Sequence, residues 1–204
     1  MYWKLNRIQY PIYNLGSGKR IGIWVQGCSL HCVDCLSPSL WAFDNGKNVK
    51  VENLLNSIID VADFFDGITI SGGEPFEQYE SLIAFCSFIK MKTKLTIFCF
   101  SGYILKEIKE KHADLLFMKY LDFLLDGRYI REKHENLNSR GSNNQNLYHF
   151  VDGNAILQKN NSFSKRWSLS VKDNQVFMSG IPKENELNKI KKILEKEGIK
   201  LEDV

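Results

Sequence analysis

Four short apolar runs, Ile21 to Gln26, Ile68 to Ser71, Leu95 to Phe100 and Leu121 to Leu125, each stop at a turn carrying glycine: Gly27, Gly72-Gly73, Gly102 and Gly127. Runs of this length closed by turn residues predict strands. Between them apolar residues recur at helical spacing, at Val51, Leu54, Leu55, Ile58 and Ala62, then Tyr79, Leu82, Ile83 and Cys86, then Ile104, Leu105 and Ile108. Strand and helix in alternation predict an α/β fold on a parallel sheet with crossover helices, open or curled into a partial barrel. Ligands of such sheets sit beyond the carboxyl ends of the strands, so the four turns are expected to share one functional edge.

That fold needs a core, and 44% hydrophobic residues against 25% charged provide one. A chain of 204 residues predicts one domain, or one with an appendage, at roughly 150 residues per domain. The net charge of +3, with Lys+Arg 27 and Asp+Glu 24 spread along the chain, leaves no basic stripe for nucleic acid. No apolar run approaches the ~20 residues of a membrane span. The opening Met1-Tyr2-Trp3-Lys4-Leu5-Asn6-Arg7 lacks the apolar centre of a signal peptide. The expected location is the cytoplasm, where clustered cysteines more often bind metal than pair.

Cys28, Cys32 and Cys35 form such a cluster, C-x3-C-x2-C, directly after the first strand. Thiolates are soft ligands suited to iron-sulfur or zinc centres. Three are one short of a closed structural site, which leaves a coordination position for a small molecule. Zinc with His31 as fourth ligand is the competing reading, against which His31 adjoins Cys32. Some forty residues on, Ser71-Gly72-Gly73-Glu74-Pro75 closes the second strand. Gly72 and Gly73 would let a ligand approach the main chain, and Glu74 can accept from an ammonium. Read alone, the run is only a turn signal. Cys86 and Cys99 lie among large apolar neighbours and are expected to be buried structural thiols.

The two motifs, in this order and each after a strand, resemble those of the radical S-adenosylmethionine superfamily. The resemblance implies a 4Fe-4S cluster on Cys28, Cys32 and Cys35. It also implies S-adenosylmethionine on the open iron, held by Gly72, Gly73 and Glu74, with Ser101 as a further contact. Family members often carry an aromatic residue where this chain has Asp34, so the backbone of Asp34 and Leu36 is the expected contact to adenine. Within the superfamily, Arg140-Gly141-Ser142-Asn143-Asn144-Gln145 resembles a run in the activating enzymes of anaerobic ribonucleotide reductase. Asn14-Leu15-Gly16-Ser17-Gly18-Lys19-Arg20, Gln26-Gly27-Cys28 and Trp41 resemble the same enzymes. Glu74 departs from the aspartate that many of them carry. The resemblance implies reductive cleavage of S-adenosylmethionine, fed by a donor such as flavodoxin or ferredoxin. Its product is a glycyl radical on a partner enzyme, with Arg140, Asn144 and Gln145 as candidate partner contacts.

The resemblance covers residues 1-150, expected to be a radical S-adenosylmethionine core of partial (β/α)-barrel type. Residues 151-204 are expected to be an extension packed on the same domain. There Trp167, Leu169 and Val171, a turn at Asp173-Asn174, then Val176 and Met178 predict a hairpin, and Leu187, Ile190 and Leu194 a helix ending at Gly198. The extension reads as a packing appendage or a docking surface. Two other functions remain open: an enzyme of the same superfamily acting on a small molecule or peptide, such as a deazapurine-forming lyase, and a non-catalytic metal-binding module.

Overall fold

The structure is a computed structural model and describes residues 1-135, 140-159, 167-172, 175-180, 182 and 184-199. Four parallel strands form its centre: β2 (Arg20–Val25), β4 (Gly67–Gly72), β5 (Thr96–Phe100) and β6 (Phe123–Asp126). They are the four runs read from sequence. Their crossovers carry α1 (Val51–Ile59), α2 (Tyr79–Lys92), α3 (Leu105–Lys111) and the short α4 (Phe117–Tyr120). Ile21, Ile23, Ile68, Ile70, Ile97 and Leu124 point to the helical face and pack with Leu54, Leu82, Phe85 and Ile108. Trp24, Phe98 and Leu125 line the opposite face in two smaller clusters. Cys86 and Cys99 are fully buried, and burial pushes both thiols up.

The sheet is mixed, which corrects the expectation of a purely parallel one. β1 (Tyr2–Ile12) joins β2 antiparallel and carries β3 (Lys47–Lys50) on its outer edge. β7 (Asn146–Val151) and β8 (Asn154–Leu157) extend the other side antiparallel, giving eight strands in the order β3-β1-β2-β4-β5-β6-β7-β8. The sheet therefore continues past residue 150. In β1 the register shifts between Leu5 and Arg7 and again between Gln9 and Ile12. Each irregularity moves the inward face by one position, so apolar alternation is broken in the sequence. The β7-β8 turn did leave a signal, since Asp152-Gly153 has φ 50° and 75°, as the tightest hairpin turns require.

Arg20, 1% exposed, pins the amino ends of the parallel strands. Its Nε donates to Thr69 Oγ1 at 2.7 Å, Nη1 to the Ser17 carbonyl and Thr96 Oγ1, and Nη2 to the carbonyls of Ile68 and Thr96. A Cβ on Gly67 would strike this guanidinium.

Beyond the large sheet, β9 (Trp167–Lys172) and β10 (Gln175–Gly180) pair antiparallel as a hairpin, and α5 (Glu184–Lys196) follows. The expected turn at Asp173-Asn174 lies outside the described residues. Among the described residues no helix is long and apolar enough to cross a membrane.

Candidate active site

The cysteine loop starts where β2 ends and is closed at its base. Gly27 N donates to the Leu40 carbonyl at 2.9 Å and Cys28 N to that of Trp41 at 3.0 Å. The buried Gln26 amide donates to the carbonyls of Ser39 and Ala42. Inside the loop Cys35 N donates to Cys32 O, and Ser37 N to Cys35 Sγ at 3.4 Å. His31 takes a left-handed φ of 42° and lays its ring 4.8 Å from Trp41. Asp34 turns away from the loop, accepting from Arg131 N at 3.1 Å and pairing with its Nε at 3.3 Å, whereas Leu36 faces the cavity. Glu77 fastens the other flank by accepting from Ser29 N, Ser29 Oγ and Tyr103 Oη.

The glycine-glutamate turn is zipped to this loop. Gly73 N donates to the Val25 carbonyl and Glu74 N to that of Gly27, both at 2.8 Å. A Cβ on Gly73 would run into the Gly27 backbone, and Gly72 stands at φ 109°. The space these glycines free is thus taken by the chain's own main chain, which locks the two motifs together. Glu74 is 1% exposed. Its Oε1 accepts from Phe76 N and Ser101 Oγ, while among the described residues Oε2 accepts only from Gly102 N at 2.8 Å. Desolvation raises this carboxyl to about 7 against the pull of those donors. A cation arriving at Oε2, which keeps an unused lone pair, would restore the charge.

Gln145 organises the turn after β6. Its Oε1 accepts from Gly141 N and Ser142 N, and its Nε2 donates to the Gly127 carbonyl at 2.8 Å. Asn144 Nδ2 holds the Arg128 carbonyl, and Arg140 Nη1 reaches the Gln145 carbonyl at 3.3 Å. Of the run from 140 to 145, Gln145 faces inward and Arg140 and Asn144 are half-buried.

One cavity of about 230 Å³ gathers these parts. Its lining includes Cys28, Cys32, Cys35 and Leu36, Gly72, Gly73 and Glu74, Ser101 and Gly102, and Gln145. Asp34, Arg140 and Asn144 stand outside that lining. Arg128, Ser179 and Gly180 also line it, and sequence reasoning had given none of them a role. Arg128 belongs to the turn Asp126-Gly127-Arg128, one of the four strand-end turns expected on the functional edge. Ser179 and Gly180 left no signal, because only the folded chain brings them there.

The donor set fits an iron-sulfur cluster. All five cysteines are free thiols. Burial pushes Cys28 up to about 11 and raises Cys32, against which Arg128 pulls, so metal must displace protons here. Among the described residues no three His, Cys, Asp or Glu are grouped to hold a single ion. A cubane makes a different demand, because each cysteine meets its own iron.

Residues 14–148 match the family described as a 4Fe-4S single cluster domain. The chain belongs to the radical S-adenosylmethionine family of glycyl radical activases. An anaerobic ribonucleoside-triphosphate reductase-activating protein of Haemophilus influenzae is 31% identical over 156 residues, covering 72% of this chain and 99% of that protein. One from Enterobacteria phage T4 is 29% identical over 146 residues, covering 68% and 88%. A pyruvate formate-lyase-activating enzyme of Clostridium pasteurianum is 34% identical over 115 residues, covering 52% of this chain and 48% of that enzyme. As a member of the activase family the chain is an enzyme, an oxidoreductase of the radical S-adenosylmethionine type.

Proposed function

We propose that this activase holds one 4Fe-4S cluster on Cys28, Cys32 and Cys35 and uses it to cleave S-adenosylmethionine reductively, creating a glycyl radical on a partner, an anaerobic ribonucleotide reductase. The observation that carries the reading is the single cavity onto which the three thiols and the turns after β4, β5 and β6 all open. Held by Cys28, Cys32 and Cys35, the cluster would supply the single electron for reductive cleavage of the cosubstrate's carbon-sulfur bond, which would release methionine and an adenosyl radical able to take hydrogen from the partner's glycine.

The chain's part is to bind and orient. Glu74 Oε2 receives the cosubstrate's ammonium, Gly72 and Gly73 set the turn that aims it, and Ser101 fixes the opposite carboxylate oxygen. Leu36 and the backbone of Asp34 flank the adenine, and the Asp34–Arg131 pair holds that backbone in place. Arg140 offers the partner a cation, while Asn144 and Gln145 brace the turn beneath it. The relatives named for reductase activation support this partner over pyruvate formate-lyase, because they match nearly their whole length. The four parallel strands with their crossovers form the partial barrel. Residues 1-150 act as the core, whose sheet the first strand of 151-204 completes, and the rest of 151-204 as an extension, in the cytoplasm, with flavodoxin or ferredoxin as donor and neither nucleic acid nor membrane as partner.

Anaerobic reconstitution, reduction and assay for 5′-deoxyadenosine test the reading. Four irons with product are expected, and Cys32→Ala should lose both. Product from Cys32→Ala would refute the ligand assignment. Stoichiometric zinc without product would leave a metal-binding module, and turnover driven by a small molecule without partner protein would favour a lyase.

A further inference from the structure

The hairpin of β9 and β10 lies wholly beyond residues 14–148 that carry the family match, yet its last residues, Ser179 and Gly180, line the cavity with the cysteines and Glu74. Asn14, 3% exposed, holds it there. Asn14 Nδ2 donates to the Ser179 carbonyl at 2.6 Å, and Oδ1 accepts from Ser179 Oγ at 2.9 Å and Ser168 Oγ at 3.2 Å. One buried amide thus grips both strands of the hairpin beside Leu15, itself a lining residue.

Two further contacts fix the same face. Gln9 Nε2 donates to Ser170 Oγ. The Arg7 guanidinium lies 4.5 Å from the ring of Trp24, a lining residue, and 5.6 Å from that of Phe177 in β10. Val176 and Met178, on the other face of the hairpin by strand alternation, are buried too. A loosely attached appendage would not spend a buried polar side chain on its own strand ends, since an amide stripped of partners in such a place is costly.

We infer that the hairpin end, Ser179-Gly180, is a wall of the cosubstrate site, a positioning element that this chain adds to the family core and that Asn14 holds in place. The inference rests on the reading that the cavity takes S-adenosylmethionine. An added wall narrows the space open to bound cosubstrate and shields it from solvent, so that fewer misplaced poses compete with the productive one.

The test uses the full-length reconstituted protein and S-adenosylmethionine as probe, with binding followed by calorimetry and backbone protection by hydrogen exchange. In the wild type, ligand should protect residues 176-180 together with 72-74. Asn14→Ala should weaken binding about tenfold with iron content unchanged, the loss expected when two or three hydrogen bonds cease to hold a binding wall. Ser168→Ala, which removes one donor to Asn14, should weaken it less, and decides the matter if Asn14→Ala does not fold. Protection at 72-74 without any at 176-180, with unchanged affinity in the variants, would overturn the wall and leave the cosubstrate reading intact. A wild-type protein that takes up four irons but binds no S-adenosylmethionine would overturn both.

Discussion

A carboxyl group as enclosed as that of Glu74 favours its neutral form until a positive group approaches. Its ordinary value near 4.5 rises to about 7 in the folded apoprotein because burial outweighs three hydrogen bonds. The folded state therefore binds this proton more tightly than the unfolded chain does. The stabilisation is complete below about 4.5 and is lost as pH rises through about 7. Denaturation of the apoprotein across that window should show the decline, and Glu74→Gln should remove this component of the slope. A variant that keeps the wild-type slope would mean that another group titrates. Glu77 makes a neighbouring prediction. It ties Ser29, next to Cys28, to Tyr103, so Glu77→Ala should lose about 2 kcal/mol in urea titration, the usual effect of removing a charged acceptor. The candidate residues that the structure brings to one cavity were legible where they are local in sequence, as with Cys28, Cys32, Cys35 and the run around Glu74. The bracing by Glu77 and the grip of Asn14 on the hairpin were not, because both are contacts across many tens of residues.

Among the elements, the central strands announced themselves because they are largely buried on both faces and read as short, mostly apolar runs closed by glycine turns. The flanks did not, because β1 is irregular and β8 is an exposed edge with little to bury. Arg20 shows what binds the central strands at the end away from the site. Its guanidinium stays charged at neutral pH although burial lowers it to about 10, and all its bonds go to oxygens of β4, β5 and the preceding loop. Arg20→Met should lower stability by about 3 kcal/mol or more, because buried carbonyls and hydroxyls lose their donor. Urea unfolding with an unchanged m-value would confirm it. At the opposite end, Gln145→Leu should cost about 2 kcal/mol and loosen the turn at Gly127 and Arg128, visible as faster hydrogen exchange there.

For the molecule as a whole, ligand should stabilise the fold by linkage, since the proposed cluster and cosubstrate would meet their residues only where three strand ends and the cysteine loop are assembled. Reconstitution should therefore raise the melting temperature, and chelation of the iron should return it to that of the apoprotein. The architecture of four parallel strands was readable from the sequence, and its mixed edges and the seating of the hairpin were not. That seating also sets an order of events during synthesis. Asn14 and the cysteines leave the ribosome well before Ser179 does, by a delay on the order of ten seconds at usual elongation rates. Between the emergence of Gln145 and that of Ser179 the nascent chain would hold its thiols in a site that lacks only the inferred wall, a door open to cluster delivery until the last strand docks.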